Sequence, residues 1–179
     1  QLRDKMTSLG LDAYIIPSSD PHLSEYVAPR WEGRKWASGF TGSAGTLVLT
    51  RKESGLWTDG RYHIQAENQL QGSGIRLFKA GLEGVKSYPD WLADSLDEGN
   101  VVGLFGQLFS VSDIKKLEEK LARKGIKLNK EHDLLEGIWA DRPDIPLNPV
   151  YSHDVVYAGK STAEKINEIR REMNKKGVN

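Results

Sequence analysis

The 179-residue chain contains no cysteine. Disulfide bonds and thiolate metal sites are therefore excluded. Disulfides are rare in reducing compartments, so their absence fits the cytoplasmic location that we expect. No run of apolar residues approaches the roughly 20 that a membrane span requires, so we expect no membrane segment. The first residues, Gln1 to Lys5, are not followed by an apolar run and do not resemble a secretion signal.

The chain also lacks a net charge, with 25 basic and 25 acidic residues. Without a broad positive field there is little attraction to a phosphate backbone, so we expect no nucleic-acid partner. Hydrophobic residues make up 38% of the chain and include five tryptophans. This composition is sufficient for one packed domain of roughly 150 residues with an appendage.

Patterns typical of metal or nucleophile chemistry are missing as well. The four histidines, His22, His63, His132 and His153, are widely spaced and form no His-Glu-x-x-His motif. Ser43 lacks the Gly-x-Ser-x-Gly elbow of hydrolases and the helix that follows it. The sequence therefore predicts that this chain contains neither a catalytic residue nor a metal ligand.

Hydrophobic periodicity predicts alternating helices and strands. A first helix ends at Gly10, and a buried strand follows at residues 13–16. Residues 18–45 show little regular pattern. The remaining predictions are a hairpin of residues 46–50 and 56–58, helices at 61–70 and about 87–96, strands at 75–78 and 101–105, a helix opened by Ser112, a strand at 126–128 and a short helix at 134–139. This order predicts an α/β fold with a mixed β-sheet flanked by helices.

Three of the seven prolines fall within residues 143–149, which indicates a stiff linker. We therefore expect a first domain at residues 1–149. Residues 150–179 are expected to form a linker, a strand and a helix, whose start is marked by the capping box Ser161 to Glu164.

The last helix is similar to the first. Arg170, Met173 and Gly177 repeat Arg3, Met6 and Gly10 at a constant offset. Such short similarity is weak by itself, because any amphipathic helix that stops at glycine shows some of it. We nevertheless expect residues 150–179 to be the truncated start of a second, similar domain.

Residues 18–29 are rich in polar side chains and follow a strand end, where α/β proteins commonly bind ligands. They include the carboxylates of Asp20 and Glu25 and the imidazole of His22. The alternative is a capped turn, in which Asp20 and Ser24 accept hydrogen bonds from main-chain N–H groups.

Glycines recur at every third position in a second stretch, at Gly39, Gly42 and Gly45. A phosphate-binding loop is disfavoured, because no Gly-Lys-Ser/Thr ending is present and a strand follows. Close packing of the loop against neighbouring structure is the favoured interpretation.

Arg61 stands at the start of a predicted helix, directly after Asp59 and Gly60. The helix dipole disfavours a cation in the first turn, so Arg61 is expected to have a specific partner. That partner is either internal, Asp59 or Asp20, or the carboxylate of a ligand.

These stretches together resemble a known family. The similarity lies in residues 14–18, 24–29, 38–40, 42–46 and 57–62, and in residues 138–143 at the domain's close. They resemble the creatinase-type N-terminal domain of Xaa-Pro aminopeptidases, the aminopeptidase P metallopeptidases. The match is to the three-domain kind, in which two similar domains precede the catalytic one. The resemblance implies a ribonuclease H-like fold.

In that family the chemistry belongs to a C-terminal pita-bread domain that holds two divalent metals, usually manganese. A metal-bound hydroxide there attacks the bond before a proline in second position. The resemblance therefore implies short Xaa-Pro peptides as substrates of the full enzyme, a homodimer, and no activity of this chain alone.

The resemblance also implies roles for individual residues. Arg61 and Glu25 are expected to face the substrate across the cleft, because an ammonium group suits a carboxylate and a peptide carbonyl suits a guanidinium. His22, Asp59 and Tyr62 are expected to support them. The domain would also wall the cleft and join dimer contacts.

Two alternatives stay open. Histone-chaperone proteins use the same architecture as a non-enzymatic protein-binding module, although the peptidase motifs would then be unnecessary. In a purely scaffolding domain every motif would be structural.

Overall fold

The computed structural model describes residues 1–178 and divides into two compact units, before and after the Ile145–Pro146 bond. This division is close to the border expected after residue 149. Among the described residues, none of the helices is long and apolar enough to cross a bilayer.

The first unit contains α1 (Leu2–Ser8), β1 (Ala13–Ile16), α2 (Gly33–Ser38), β2 (Thr46–Thr50), β3 (Ser54–Thr58), α3 (His63–Gln69), β4 (Arg76–Lys79), α4 (Tyr88–Ser95), β5 (Val101–Leu104), α5 (Val111–Ala122) and β6 (Lys127–Asn129).

The six strands form one sheet in the order β4-β3-β2-β1-β5-β6. Strands β1, β2 and β3 pair antiparallel, whereas β4, β5 and β6 join by parallel pairing. Parallel neighbours need crossover connections, and α3, α4 and α5 supply them. The predicted mixed sheet flanked by helices is confirmed.

Both faces of the sheet are covered, which follows from the alternation of side chains along β1. Tyr14 and Ile16 belong to one buried cluster, whereas Ala13 and Ile15 belong to the other. On the second face the ring of Trp57 stacks on that of Phe78 with centroids 4.0 Å apart. The hydrophobic residues of α4 and α5 complete that cluster. Strand β1 is therefore buried on both faces.

Two segments differ from the prediction in kind. Residues 33–38 form α2, which the sequence analysis missed because the helix is short and buries the small Gly33 rather than an apolar stripe. The helix predicted at residues 134–139 is a series of turns. There the hydroxyl of Tyr14 accepts a hydrogen bond from the main-chain N–H of Leu134, and the Asp133 carboxylate accepts one from Leu135.

Two helix starts were misplaced. Helix α5 is capped by Ser110, whose hydroxyl accepts a hydrogen bond from the main-chain N–H of Asp113, and Ser112 lies within the helix. Helix α3 begins at His63, so Arg61 precedes it and does not oppose its dipole from within the first turn.

Arg142 fixes the C-terminal end of the first unit through several contacts. Its Nη1 lies 2.6 Å from the carboxylate of Asp133, and its Nε donates to the carbonyl of Arg30 at 3.1 Å. The guanidinium also lies over the rings of Trp31 and Trp139, 5.4 and 5.7 Å from their centroids. The ion pair and the two cation–π contacts of this buried guanidinium stabilise the end of the domain, just before the proline-rich linker.

The second unit contains α6 (Val155–Ala158) and α7 (Thr162–Lys175). The capping box is confirmed, since Ser161 and Glu164 each accept a hydrogen bond from the other's main-chain N–H. The strand expected in residues 150–179 is absent from its described part, and the short helix α6 stands in its place. Helix α7 contains no buried residue.

Candidate functional site

The loop after β1 is organised by Asp20, a buried carboxylate. One of its oxygens accepts hydrogen bonds from the main-chain N–H groups of His22 and Ser24, at 2.9 and 3.0 Å. Desolvation would raise the pKa of Asp20, but these hydrogen bonds and the nearby His22 outweigh it and hold the pKa below its ordinary value. The capped-turn interpretation is therefore correct for Asp20. The turn places Leu23 at a φ of 54°, a left-handed conformation that side chains with a Cβ rarely adopt.

The loop that carries Gly39, Gly42 and Gly45, here called the glycine loop, is held by the side chain of Arg34, which is only 5% exposed. Its guanidinium donates to the hydroxyl of Ser18 and to the main-chain carbonyls of Phe40, at 2.7 Å, and Gly42. The same group lies over the Phe40 ring, 4.8 Å from its centroid. Burial lowers the pKa of Arg34 to about 10, which leaves it charged at neutral pH.

Gly42 and Gly45 are required by close packing. A Cβ on Gly42 would overlap the ring of Phe40 and lie 2.8 Å from that of Tyr62, and one on Gly45 would lie 3.0 Å from the carbonyl of Trp57. The close-packing interpretation is therefore confirmed for these two positions. Gly39 ends α2 in the left-handed conformation, with φ 72°.

Arg61 is paired with Asp59 in a bidentate arrangement. Its Nε and Nη2 each donate to a carboxylate oxygen at 2.9 Å, and its main-chain N–H donates at 3.1 Å. These hydrogen bonds lower the pKa of Asp59 to about 2 and raise the pKa of Arg61 above its ordinary value. The internal partner of Arg61 is thus Asp59, not Asp20.

Arg61 nevertheless stays available to a ligand. Its side chain is 68% exposed, and Nη1 makes no hydrogen bond within residues 1–178. The guanidinium also lies over the Tyr62 ring at 5.2 Å. The hydroxyl of Tyr62 is 2.6 Å from that of Ser43, which joins the Asp59–Tyr62 turn to the glycine loop.

These elements enclose two adjoining depressions. The first has a volume of about 210 Å³ and is lined by two carboxylates and two cations, Glu25, Glu32, Arg34 and Lys35, among others. The second, here called the Arg61 groove, is a more open space of about 570 Å³ whose lining is largely polar and includes Arg61, Glu25 and Asp113. Glu25, Ser43, Pro17 and Ser18 border both depressions.

The structure brings some of the predicted site residues together. Glu25 and Arg61 line the same groove, Asp59 holds the Arg61 guanidinium, and Tyr62 contacts it. His22 is exposed, and its ring makes no hydrogen bond to any described residue; its main-chain N–H caps the turn. The functional roles of all five residues stay predictions.

Arg34 was not among the site residues predicted from the sequence. Nothing in the sequence distinguishes it from Arg30 or Lys35 in the same stretch, because its burial arises from tertiary contacts with Ser18 and the glycine loop. No group of three or more His, Cys, Asp or Glu side chains in residues 1–178 is arranged to hold a metal ion.

The comparisons with known proteins agree with this architecture. The family model for the creatinase/prolidase N-terminal domain matches residues 1–137, and a second model of the same description matches residues 141–179. The chain is 44% identical over 168 residues to aminopeptidase P2 of Arabidopsis thaliana, covering 92% of this chain and 24% of that protein. It is 43% identical to the probable Xaa-Pro aminopeptidase P of Talaromyces stipitatus, covering 98% of this chain and 27% of that protein.

Among solved structures, the X-prolyl aminopeptidase of Caenorhabditis elegans is similar over 99% of this chain and 32% of its own, with a TM-score of 0.84 and 32% identity. That protein is described as a cytosolic enzyme with a dinuclear active site. The N-terminal domain of the peptidase PepQ from Mycobacterium tuberculosis is similar over 76% of this chain and 94% of its own, with a TM-score of 0.55 and 25% identity.

The chain spans about a quarter of the length of the curated relatives and about a third of the C. elegans enzyme. The fold and both family matches converge. The chain belongs to the creatinase/prolidase N-terminal domain family, in the form found in Xaa-Pro aminopeptidases.

Proposed function

We propose that this chain is the non-catalytic N-terminal part of an Xaa-Pro aminopeptidase, which removes the first residue from peptides with proline in second position. The observation that carries the proposal is the joint position of Glu25 and Arg61 on one open groove. The relatives that contain the matching segment are named as aminopeptidases P or Xaa-Pro aminopeptidases, which supports the proposed aminopeptidase reaction.

In this proposal Arg61 and Glu25 contact the peptide directly. The bidentate pair with Asp59 fixes the orientation of Arg61 and leaves Nη1 free to donate to a peptide carbonyl or carboxylate. Glu25 is exposed and offers a carboxylate to an amino-terminal ammonium group. The face of the Tyr62 ring supports the guanidinium, and His22 belongs to the loop that carries Glu25.

The finer features follow from the same proposal. The domain walls the active-site cleft, takes part in a homodimer, and belongs to a cytoplasmic enzyme, as the C. elegans relative does. The described side chains do not fit a metal centre. We therefore place the two divalent metals, with manganese as the expected identity, in the part of the enzyme outside this chain. Residues 150–179 would begin a second similar domain, which the second family match supports.

The test is Arg61→Ala in the full-length enzyme, assayed with a short Xaa-Pro peptide. Loss of a charge-assisted hydrogen bond predicts a roughly 10- to 100-fold drop in kcat/KM. Because both side chains of the Asp59–Arg61 pair are exposed, the melting temperature should fall only slightly. Arg51→Ala is the matched control, since Arg51 also makes a 2.9 Å ion pair, with Asp12, but lies in the β2–β3 turn.

Three outcomes separate the alternatives. Loss of activity with little change in stability supports substrate contact, whereas unfolding of the variant supports a purely scaffolding motif. A full-length enzyme that cleaves no Xaa-Pro peptide, with manganese present, would favour a protein-binding module of the histone-chaperone type.

A further inference from the structure

Asp59 and Gly60 form the one Asp-Gly or Asn-Gly pair in the 179-residue sequence. In such a pair the main-chain nitrogen of the glycine can attack the side-chain carboxyl, because glycine has no Cβ to hinder the approach. Gly60 is exposed, and the nearest heavy atom to an added Cβ, from His63, is 4.0 Å away. The Asp59 side chain is 42% exposed. The pair is therefore uncrowded and accessible to water.

The reaction open to this pair requires no partner other than water. The nitrogen of Gly60 forms a bond to Cγ of Asp59, and one carboxyl oxygen leaves as water with the amide hydrogen and the carboxylic proton. Water then opens the resulting cyclic imide. Opening at the main-chain carbonyl of Asp59 yields isoaspartate, in which the chain runs through Cβ and the free carboxylate is attached to Cα. The mass is unchanged, since the water that was lost is regained.

Arg61 holds the carboxylate that would have to react. Its Nε and main-chain N–H donate to one oxygen at 2.9 and 3.1 Å, and its Nη2 donates to the other at 2.9 Å. Ring closure must break these hydrogen bonds, here called the Arg61 clamp, because one oxygen leaves and the carboxyl carbon bonds to Gly60. The clamp also holds the pKa of Asp59 at about 2, so the protonated carboxyl that loses water is scarce at neutral pH.

The main chain of the turn is fixed as well. The N–H of Tyr62 donates to the carbonyl of Asp59 at 3.0 Å, and the N–H of Ala80 donates to the carbonyl of Thr58 at 2.9 Å. The carbonyl carbon of Asp59 becomes part of the imide ring, so ring closure changes the main-chain conformation at this residue. The reaction therefore needs local opening of the turn, and the Arg61 clamp opposes that opening.

We propose that Asp59 is the site at which isoaspartate forms in this chain, and that the Arg61 clamp slows this modification in the folded protein. This role of Arg61 does not depend on the proposed function. Isoaspartate at position 59 displaces the carboxylate from the guanidinium fork, so Arg61 loses its bidentate partner as the protein ages.

The test is incubation of the folded chain at neutral pH and physiological temperature for several weeks, followed by protease digestion and chromatographic separation of the isoaspartate-containing peptides. Isoaspartate should accumulate at Asp59 before any other position. Arg61→Ala should accumulate it about fivefold faster, the factor expected when one net hydrogen bond no longer opposes ring closure. Arg61→Lys should lie between the two, because an ammonium group keeps the charge but not the planar fork.

Two controls separate the clamp from other effects. In concentrated guanidinium chloride the unsubstituted chain and Arg61→Ala should form isoaspartate at equal rates, both faster than the folded chain. Arg51→Ala, which removes the 2.9 Å ion pair with Asp12, should leave the folded rate unchanged. Equal rates in the folded chain and in folded Arg61→Ala overturn the inference, as does earlier accumulation at another position, such as Asp94 in α4.

Discussion

The hydroxyl groups of Ser43 and Tyr62 lie 2.6 Å apart, and their hydrogen bond joins the glycine loop to the turn that carries Arg61. The two segments are 19 residues apart in the chain and are separated by the β2–β3 hairpin. Since Arg34 holds the same loop from beneath, the position of Arg61 depends on a buried cation that the sequence does not mark.

Arg34→Met should destabilise the first unit by about 2–4 kcal/mol, because two buried main-chain carbonyls and one hydroxyl lose their donor. Arg34→Lys should cost less but still be measurable, since one ammonium group does not reproduce the planar fork. Urea unfolding of the chain measures both. Lys35→Met, on the exposed side of the same helix, should change the free energy of unfolding by less than about 1 kcal/mol. Equal effects at the two positions would contradict the assigned role of Arg34.

Gly42→Ala should destabilise the chain by about 1–3 kcal/mol, because the added methyl group would overlap the Phe40 ring and crowd Tyr62. Gly60→Ala is the matched control. Gly60 has no positive φ, and its nearest heavy atom to an added Cβ is 4.0 Å away. Thermal unfolding of the two variants is the measurement. If the Gly42→Ala variant has the same melting temperature as the unsubstituted chain, the close packing of this loop does not require glycine at position 42.

Asp59 should titrate at about 2 in the folded chain, well below its ordinary value of 3.8, because Arg61 donates to both carboxylate oxygens. A depressed folded-state pKa means that the pair stabilises the fold above about pH 4 and that this contribution is lost as the pH falls towards 2. Arg61→Ala should raise the pKa of Asp59 towards 3.8. Carboxyl-carbon NMR across this pH range measures both values, and an unchanged pKa in the variant would rule out Arg61 as the cause. Arg51→Ala should leave Asp59 unaffected.

Amide hydrogens of α7 should exchange faster than those of the β2–β3 hairpin. Helix α7 has no buried residue, with Ile169 60% exposed, whereas four of five residues in each strand of the hairpin are buried. Hydrogen exchange followed by mass spectrometry on a dilute monomer compares the two segments directly. Slow exchange in α7 under those conditions would show protection that its surroundings in this structure do not provide.

Much of the fold was predictable, because local patterns decide it. The apolar runs of β1 and of the hairpin predicted buried strands, and the capping box at Ser161 predicted the start of α7 within one residue. The predictions failed where a long-range contact competes with a local preference. Residues 134–139 form turns, where Leu134 donates to the distant Tyr14 hydroxyl and both Leu134 and Leu135 are buried in the first hydrophobic cluster.

The candidate site divides in the same way. The sequence by itself determined the chemistry available: the carboxylates of Asp20, Glu25 and Asp59, the guanidinium of Arg61 and the glycines that permit close approach. Only the tertiary structure decided how these groups are used. It buried Asp20 as a cap, paired Asp59 with Arg61, left Glu25 exposed and chose Arg34 as the internal cation. The physical reason is that burial and pairing depend on which segments the sheet brings together, and a side chain's neighbours in space lie far from it in the chain.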